Sequence, residues 1–501
     1  MARRFQLQLK KIHARITRNR LTTVFFLFGL FHCFAQGIIQ SLLFTIDSQY
    51  DSLLSDITQA ARIPAPNHTD LVNLKGGGYR LNMCNFIPHN STDCYTIFDT
   101  TDNLTVQNSP DVDAQLRGET ISSQLAESTF KIVAEKGTKP AQQVTFVANA
   151  GAGNVTLSET CTSILLYPAQ HLENNKREDI AFVALQFWLF GLSVIAMMYD
   201  SVPHVLAVLI TRLTLSAWSV YALWRTGWQQ SVFHQMIETP GSPCAAAIFG
   251  TYFSTRTLYE VPDIVLNCTA LGISTYLSWT LLRTYNSEVF SYIGAPKKVM
   301  KMYKYFLALQ ICIQLETFVL ITAAALWADQ LFNTYISTIS RHTNVYEALI
   351  IFYAIVLVPW LLMAWYGIRY EKRIVTIAFL CANFLFLFGS TLMFWSQVYC
   401  WTYYAWPCFG CFVTASLILL VASNVLGGVC LRNFDKGLAQ YLYAEANLSS
   451  SNFAPEVFER DVEATHVDEE QLKAKGFHAD FTTQYLPTLG PSISRDSHFS
   501  V

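Results

Sequence analysis

Two side chains of opposite charge stand inside apolar stretches of this chain. Glu316 falls in the middle of a run from Tyr305 to Trp327, and Arg212 lies within "VLAVLITRLTLSAW". A lone charge at the centre of a membrane helix costs about 2.5–3.5 kcal/mol on an insertion scale, so each calls for a partner. Arg212 is about nine residues from the cytosolic end of its run and Glu316 about eleven from its own, roughly the same depth at 1.5 Å per residue. An Arg212–Glu316 ion pair is therefore expected if the two helices adjoin. The same residues are also the natural steps of an ion or substrate pathway, since intramembrane ionisable groups are pathway candidates by default.

Weaker polar groups surround them. Gln310, Gln314 and Thr317 share one helix face by their i, i+4, i+7 spacing, and Glu316 projects from another. Asp263 and Asn267, also i, i+4, sit near the outer end of "VPDIVLNCTALGISTYLSW". Together these side chains either line a polar cavity opening outward or hold helices together through hydrogen bonds, the reading favoured for the Gln and Asn residues.

Catalytic patterns are missing. The chain has no HExxH, GxSxG, GxxxxGK[ST] or histidine-box pattern, so the sequence offers no catalytic residue, no cofactor and no metal centre, and a non-enzymatic protein is expected. No tight Cys/His cluster has ligand spacing. "CFGC" at 408–411, flanked by Pro407 and apolar residues, reads as packing rather than redox. No basic-aromatic module for nucleic acid is present.

The elements that must position these residues are membrane helices. Of the residues, 52% are hydrophobic and only 14% charged, against about a quarter charged in soluble domains. The first twenty residues hold seven Lys and Arg and no acid, followed by "LTTVFFLFGLFHCFAQGIIQSLLFTI". That run exceeds the roughly 7–15 residues of a cleaved signal's apolar region and lacks a small-residue cleavage site, which predicts a retained signal anchor. Seven further runs, approximately 179–199, 203–224, 261–283, 305–327, 346–368, 374–397 and 406–430, are long enough to cross roughly 30 Å of hydrocarbon. Pro359 should free a carbonyl and kink its helix.

Charge orients the bundle. The segments assigned to the cytosol carry seventeen Lys and Arg, whereas the short outer loops carry three, Arg225, Arg256 and Arg341. That asymmetry places both termini in the cytosol by the positive-inside rule. The aromatic stretch "VYCWTYYAW" reads as an outer loop at the interfacial belt.

The expected architecture is an α-helical integral membrane bundle: a basic cytosolic N-terminus (1–20), a signal-anchor helix (21–46), a small exoplasmic α+β domain (47–178), a seven-helix core (179–430) and a cytosolic, acidic, mostly disordered tail (431–501). "TIDSQYDSLLSDITQAARI" should continue the anchor as a helix, and "STFKIVAE", "QQVTFVAN", "GNVTLSE" and "CTSILLYP" should be strands. Four N-x-[ST] sequons, at Asn67, Asn90, Asn103 and Asn154, suit a glycosylated exoplasmic domain. Cys84, Cys94, Cys161 and Cys244 fall outside the cytosol, where disulfides form. Cys84–Cys94 closes the shortest loop and leaves Cys161 for Cys244, although sequence does not decide connectivity.

With "YEVPDIVLN", "LWADQLFN" and "LRNFDKGLAQYL", the stretch "NKREDIAFVALQFWLFGLSVIAMMYDSVPH" resembles a group of multi-spanning proteins of basidiomycete fungi over about 174–443. The resemblance implies an origin and an architecture, and no activity. In layout alone the chain resembles heptahelical receptors and Golgi or Wntless-like cargo proteins, but it has neither a DRY nor an NPxxY motif. The function expected is a receptor, sensor or cargo-binding protein of the secretory pathway or plasma membrane. Its partners would be the lipid bilayer, an exoplasmic ligand or cargo, and cytosolic factors on the acidic tail. The alternative is a transporter or channel using Arg212 and Glu316.

Overall fold

A computed structural model describes residues 20–64, 67–75, 77–84, 94–100, 130–134, 144–148, 155–199, 201–239, 242–246, 248–293, 297–334 and 343–436. Three of the four sequon asparagines, Asn90, Asn103 and Asn154, lie outside them, as do residues 1–19 and the tail from 437.

Among the described residues, ten α-helices and six strands follow in chain order: α1 (Arg20–Ala60), β1 (His68–Asn73), β2 (Tyr79–Cys84), β3 (Cys94–Asp99), β4 (Phe130–Ala134), β5 (Val144–Ala148), β6 (Val155–Leu157), α2 (Glu159–Ile164), α3 (Leu166–Met198), α4 (Val202–Phe233), α5 (Tyr252–Ile293), α6 (Lys297–Asn333), α7 (Thr343–Arg369), α8 (Arg373–Met393), α9 (Gln397–Ala405) and α10 (Pro407–Arg432). Eight of these helices, α1, α3 to α8 and α10, are long and apolar enough to cross a membrane. The chain is a multi-pass, α-helical membrane protein.

Helix α1 does not stop where its apolar run stops. Beyond Asp47, the residues Tyr50, Leu53, Leu54 and Ile57 recur at i, i+3, i+4, i+7, the spacing of one buried helical face. That face carries α1 out of the bundle and under a cap built from two three-stranded antiparallel sheets, β1-β2-β3 and β4-β5-β6. Leu81 and Phe98 of the first sheet, Leu157 of β6, Tyr167 of α3 and Phe233, Phe249 and Tyr252 near the α4–α5 connection close over it in one apolar cluster.

Two disulfides tie the cap. Cys84 and Cys94 are directly opposite in the β2–β3 register and are bonded. Cys161 of α2 is bonded to Cys244 of the α4–α5 connection. The segment "CTSILLYP" is helix rather than strand. Ser158 caps α2 by accepting a hydrogen bond from the Cys161 amide at 3.2 Å, and such a cap starts a helix whatever the β-branched residues after it prefer. The strands β1 to β3 are additions to the expected set. "VYCWTYYAW" is also mostly helical, forming α9, whose N-cap Ser396 accepts from the Tyr399 amide.

Asn67 is only 7% exposed, and its amide nitrogen donates to Met83 Sδ at 3.4 Å. A glycan on that nitrogen has no room in this packing, so the expected glycosylation at Asn67 does not agree with the fold.

Candidate functional site

Among the described residues, buried charge concentrates where the bundle meets the cap, at the ends of the apolar runs rather than inside them. Six ionisable side chains, Asp47, Glu178, Asp179, Arg225, Arg256 and Glu260, are all buried there. They are delivered by α1, α3, α4 and α5, just past the point where an apolar run ends or just before one begins.

Arg256 anchors one half of this layer. Its Nη1 donates to Asp47 Oδ2 and to the Tyr252 hydroxyl, and its Nε donates to Glu260 Oε1 at 2.8 Å. Tyr252 in turn donates to Asp47 Oδ1 at 2.9 Å, and Thr226 Oγ1 to Glu260 Oε1 at 2.7 Å. The other half is a two-pronged pair: Arg225 Nη1 and Nη2 meet Glu178 Oε1 and Oε2 at 2.9 and 2.7 Å. Such bidentate pairs are directional as well as strong, and they lock two helices in register. Trp406, the N-cap of α10, completes it by donating Nε1 to Glu178 Oε1 at 2.7 Å.

Four carboxylates therefore share two guanidiniums. Among the described residues, Asp179 Oδ2, Glu260 Oε2 and Arg225 Nε keep no hydrogen-bond partner. A buried polar network with vacant positions is expensive to keep, because the low local dielectric raises the cost of every unmet group. It holds only while α1, α3, α4, α5 and α10 stay in place together, which makes the layer a register for the whole cap end.

A small cleft opens above it, lined by Gln170, Glu173, Asn174, Gln330, Trp401 and Trp406 among others. Its rim is cross-braced. Arg177 pairs with Asp329 and, at 2.7 Å, with Glu173, while Gln330 Nε2 donates to Asn174 Oδ1 at 2.6 Å. Trp401 also stacks edge-on against His68 of β1, with ring centroids 5.1 Å apart. Trp406 thus belongs to the cleft and to the charged layer at once.

The six polar residues singled out from sequence are placed differently. Asp263 and Asn267 are bonded to each other at 3.1 Å, and Asp263 also accepts from Gln36, Gln40 and Ser219 at 2.8, 2.9 and 2.6 Å. Both of its oxygens are used, so this is a saturated hydrogen-bonded joint of α1, α4 and α5. Gln314 Oε1 has no hydrogen-bond partner among the described residues, and Gln310 is half-buried.

Arg212 and Glu316 do not pair. No ion pair among the described residues includes either one, although α4 and α6 pack together. Position along a helix says nothing of direction around it. Arg212, 4% exposed, turns to α1, its guanidinium carbon 5.2 Å from the centre of the Phe28 ring, with Nε and Nη1 unpartnered. Glu316 turns to α10, where Ser423 Oγ donates to Oε2 at 3.0 Å. In "CFGC", Cys408 is buried and Cys411 exposed, and neither is in a disulfide.

The charged layer was missed because its members sit at the ends of apolar runs, where a charge reads as a boundary. The available signal was coincidence: Asp47, Glu178, Arg225, Arg256 and Glu260 all mark the same end of successive spans.

Fold and site define a polytopic helical membrane protein with a strand-containing cap and an ion-paired layer beneath it. No protein-family model matches the chain, nor does any curated protein or solved structure.

Proposed function

We propose that this protein is a receptor- or sensor-like membrane protein whose cap faces the exoplasmic side, binds a ligand or cargo, and biases a seven-helix core. The cap's two disulfides favour an oxidising compartment for it, and the basic loops favour the cytosol for the other end. Both termini would then be cytosolic, in the plasma membrane or along the secretory route.

One observation carries this reading: Trp406 lines the cleft and also holds Glu178. A molecule entering the cleft touches the side chain that orients the Glu178–Arg225 pair, and that pair joins α3 to α4. Hydrogen exchange on the detergent-solubilised full-length protein tests it, with and without an antibody fragment raised against the cap. Altered exchange at residues 370–372, the turn joining α7 to α8 at the far end of the helices, is expected when the fragment binds. Unchanged exchange there with the fragment bound sinks the coupling.

The transporter reading is favoured by a different observation: Arg212 and Glu316 are buried without being spent on each other. It requires that Glu316→Gln abolish flux in proteoliposomes without altering folding.

A further inference from the structure

Glu316 stands at the junction of α6, α8 and α10, within a chain of polar contacts that ends unfinished. Ser423 Oγ donates to Glu316 Oε2 at 3.0 Å, and Asn383 Nδ2 donates to Ser423 Oγ at 2.8 Å. Asn383 Nδ2 also donates to the Leu420 carbonyl at 3.1 Å. That carbonyl only accepts, so the Asn383 amide cannot be turned over without setting two oxygens against each other. The orientation is fixed.

Two oxygens are left over. Among the described residues, Glu316 Oε1 and Asn383 Oδ1 have no hydrogen-bond partner, and both residues are 0% exposed. Both groups only accept, so what they lack is a donated hydrogen or a cation, and a buried carboxylate is neutralised only by a proton or a positive ion. No basic side chain among the described residues forms an ion pair with Glu316. Asn383 is the middle residue of the 21 in α8, about 15 Å from either end at 1.5 Å per residue, so neither lipid headgroups nor bulk ions screen the site.

We propose that Glu316, Asn383 and Ser423 form a binding site for a sodium ion inside the bundle. Oxygen ligands suit hard cations. The charge count selects a monovalent one, because a single carboxylate neutralises a single positive charge and a divalent ion would leave an uncompensated buried charge. No group of three His, Cys, Asp or Glu among the described residues is placed to hold a metal ion, which leaves one carboxylate with neutral oxygens as the available chemistry. The site rests on α6, α8 and α10 alone and does not depend on the receptor reading.

The test is binding of radioactive sodium to the purified full-length protein, alongside thermal unfolding in sodium, potassium and choline chloride at equal ionic strength. Sodium is expected to bind, to be displaced by unlabelled sodium but not by choline, and to raise the unfolding midpoint by several degrees over choline. Glu316→Gln and Asn383→Leu should each abolish binding and the sodium-dependent rise. Ser423→Ala, which removes one oxygen and keeps the fold if the other two do not, should weaken binding about tenfold, the equivalent of roughly 1.4 kcal/mol. Wild-type protein that binds no sodium and melts alike in sodium and choline overturns the site and leaves Glu316 carrying a proton. Preference for potassium over sodium, or unchanged sodium affinity in Ser423→Ala, overturns it equally.

Discussion

Glu178 Oε1 accepts two hydrogen bonds, from Trp406 Nε1 at 2.7 Å and from Arg225 Nη1 at 2.9 Å, so one oxygen joins α3, α4 and the start of α10. The second oxygen takes Arg225 Nη2 at 2.7 Å. A carboxylate with this many directed donors cannot rotate without breaking one of them. Asp179, its neighbour in sequence, is also buried and has an unmet oxygen.

Removing half of the pair should be worse than removing both. Arg225→Leu leaves Glu178 buried and uncompensated, and is expected to cost about 3–5 kcal/mol. The double substitution Arg225→Leu, Glu178→Leu should recover much of that loss, whereas Trp406→Phe, losing one hydrogen bond to a charged group, should cost about 1–3 kcal/mol. Chemical denaturation of the four proteins in one detergent gives the comparison. Equal destabilisation by the single and double changes would show that the pair is not a unit.

The opposite pattern is expected for Arg212 and Glu316. Because Arg212 faces Phe28 and Glu316 faces Ser423, their substitutions should be additive to within about 0.5 kcal/mol. A thermodynamic cycle on wild type, Arg212→Leu, Glu316→Leu and the double variant measures the coupling. Recovery in the double variant would mean that the charges meet in the membrane.

These two cases mark what a sequence can carry here. Apolar runs of membrane length are one-dimensional signals, and all eight reappear as helices because hydrocarbon thickness imposes a length on each. The i, i+4 spacing of Asp263 and Asn267 likewise fixes two side chains on one face, and they do bond. Which neighbour a face meets is a three-dimensional property. Depth along two helices says nothing of their rotation, and Arg212 faces Phe28 while Glu316 faces Ser423. The Ser158 cap overrode a β-rich pattern in "CTSILLYP", and β1 to β3 have too weak an alternation to announce themselves: in "HTDLVN" the burial falls off along the strand instead of alternating.

Asn67 should carry no glycan. Its side chain is buried beneath Met83, and Thr69 of the same sequon bonds through Oγ1 to Gln170 Oε1 at 2.7 Å. Asn67→Gln is expected to leave the electrophoretic mobility of the protein from a glycosylating host unchanged. A shift equal to one N-glycan would show that this strand is packed differently.

The two disulfides should differ in value. In the chain-entropy model, closing 10 residues through Cys84–Cys94 is worth about 2.7 kcal/mol and closing 83 through Cys161–Cys244 about 4.5 kcal/mol. Replacing Cys161 and Cys244 by Ala should therefore lower stability more than replacing Cys84 and Cys94, which denaturant midpoints of the two double variants decide. The longer bridge also ties α2 to the α4–α5 connection, so its loss should loosen the cap as a whole.

The last helix offers a paired control on how closely it packs. A Cβ added at Gly410 would lie 2.8 Å from the Tyr403 carbonyl oxygen, a backbone atom that cannot swing aside, whereas nothing lies within 4 Å of one added at Gly428. Alanine favours a helix interior over glycine by about 0.5–1 kcal/mol, so Gly428→Ala should be neutral or stabilising by that amount. At Gly410 the same gain is outweighed by overpacking, which costs about 1–3 kcal/mol, and the net change should be a loss. The strain would push α9 away from α10 at the point where Trp406 caps the helix and holds Glu178. Gly410→Ala should therefore also raise amide exchange at Trp406 and Glu178, while Gly428→Ala leaves both alone. Equal effects of the two substitutions would mean that α9 does not rest on α10.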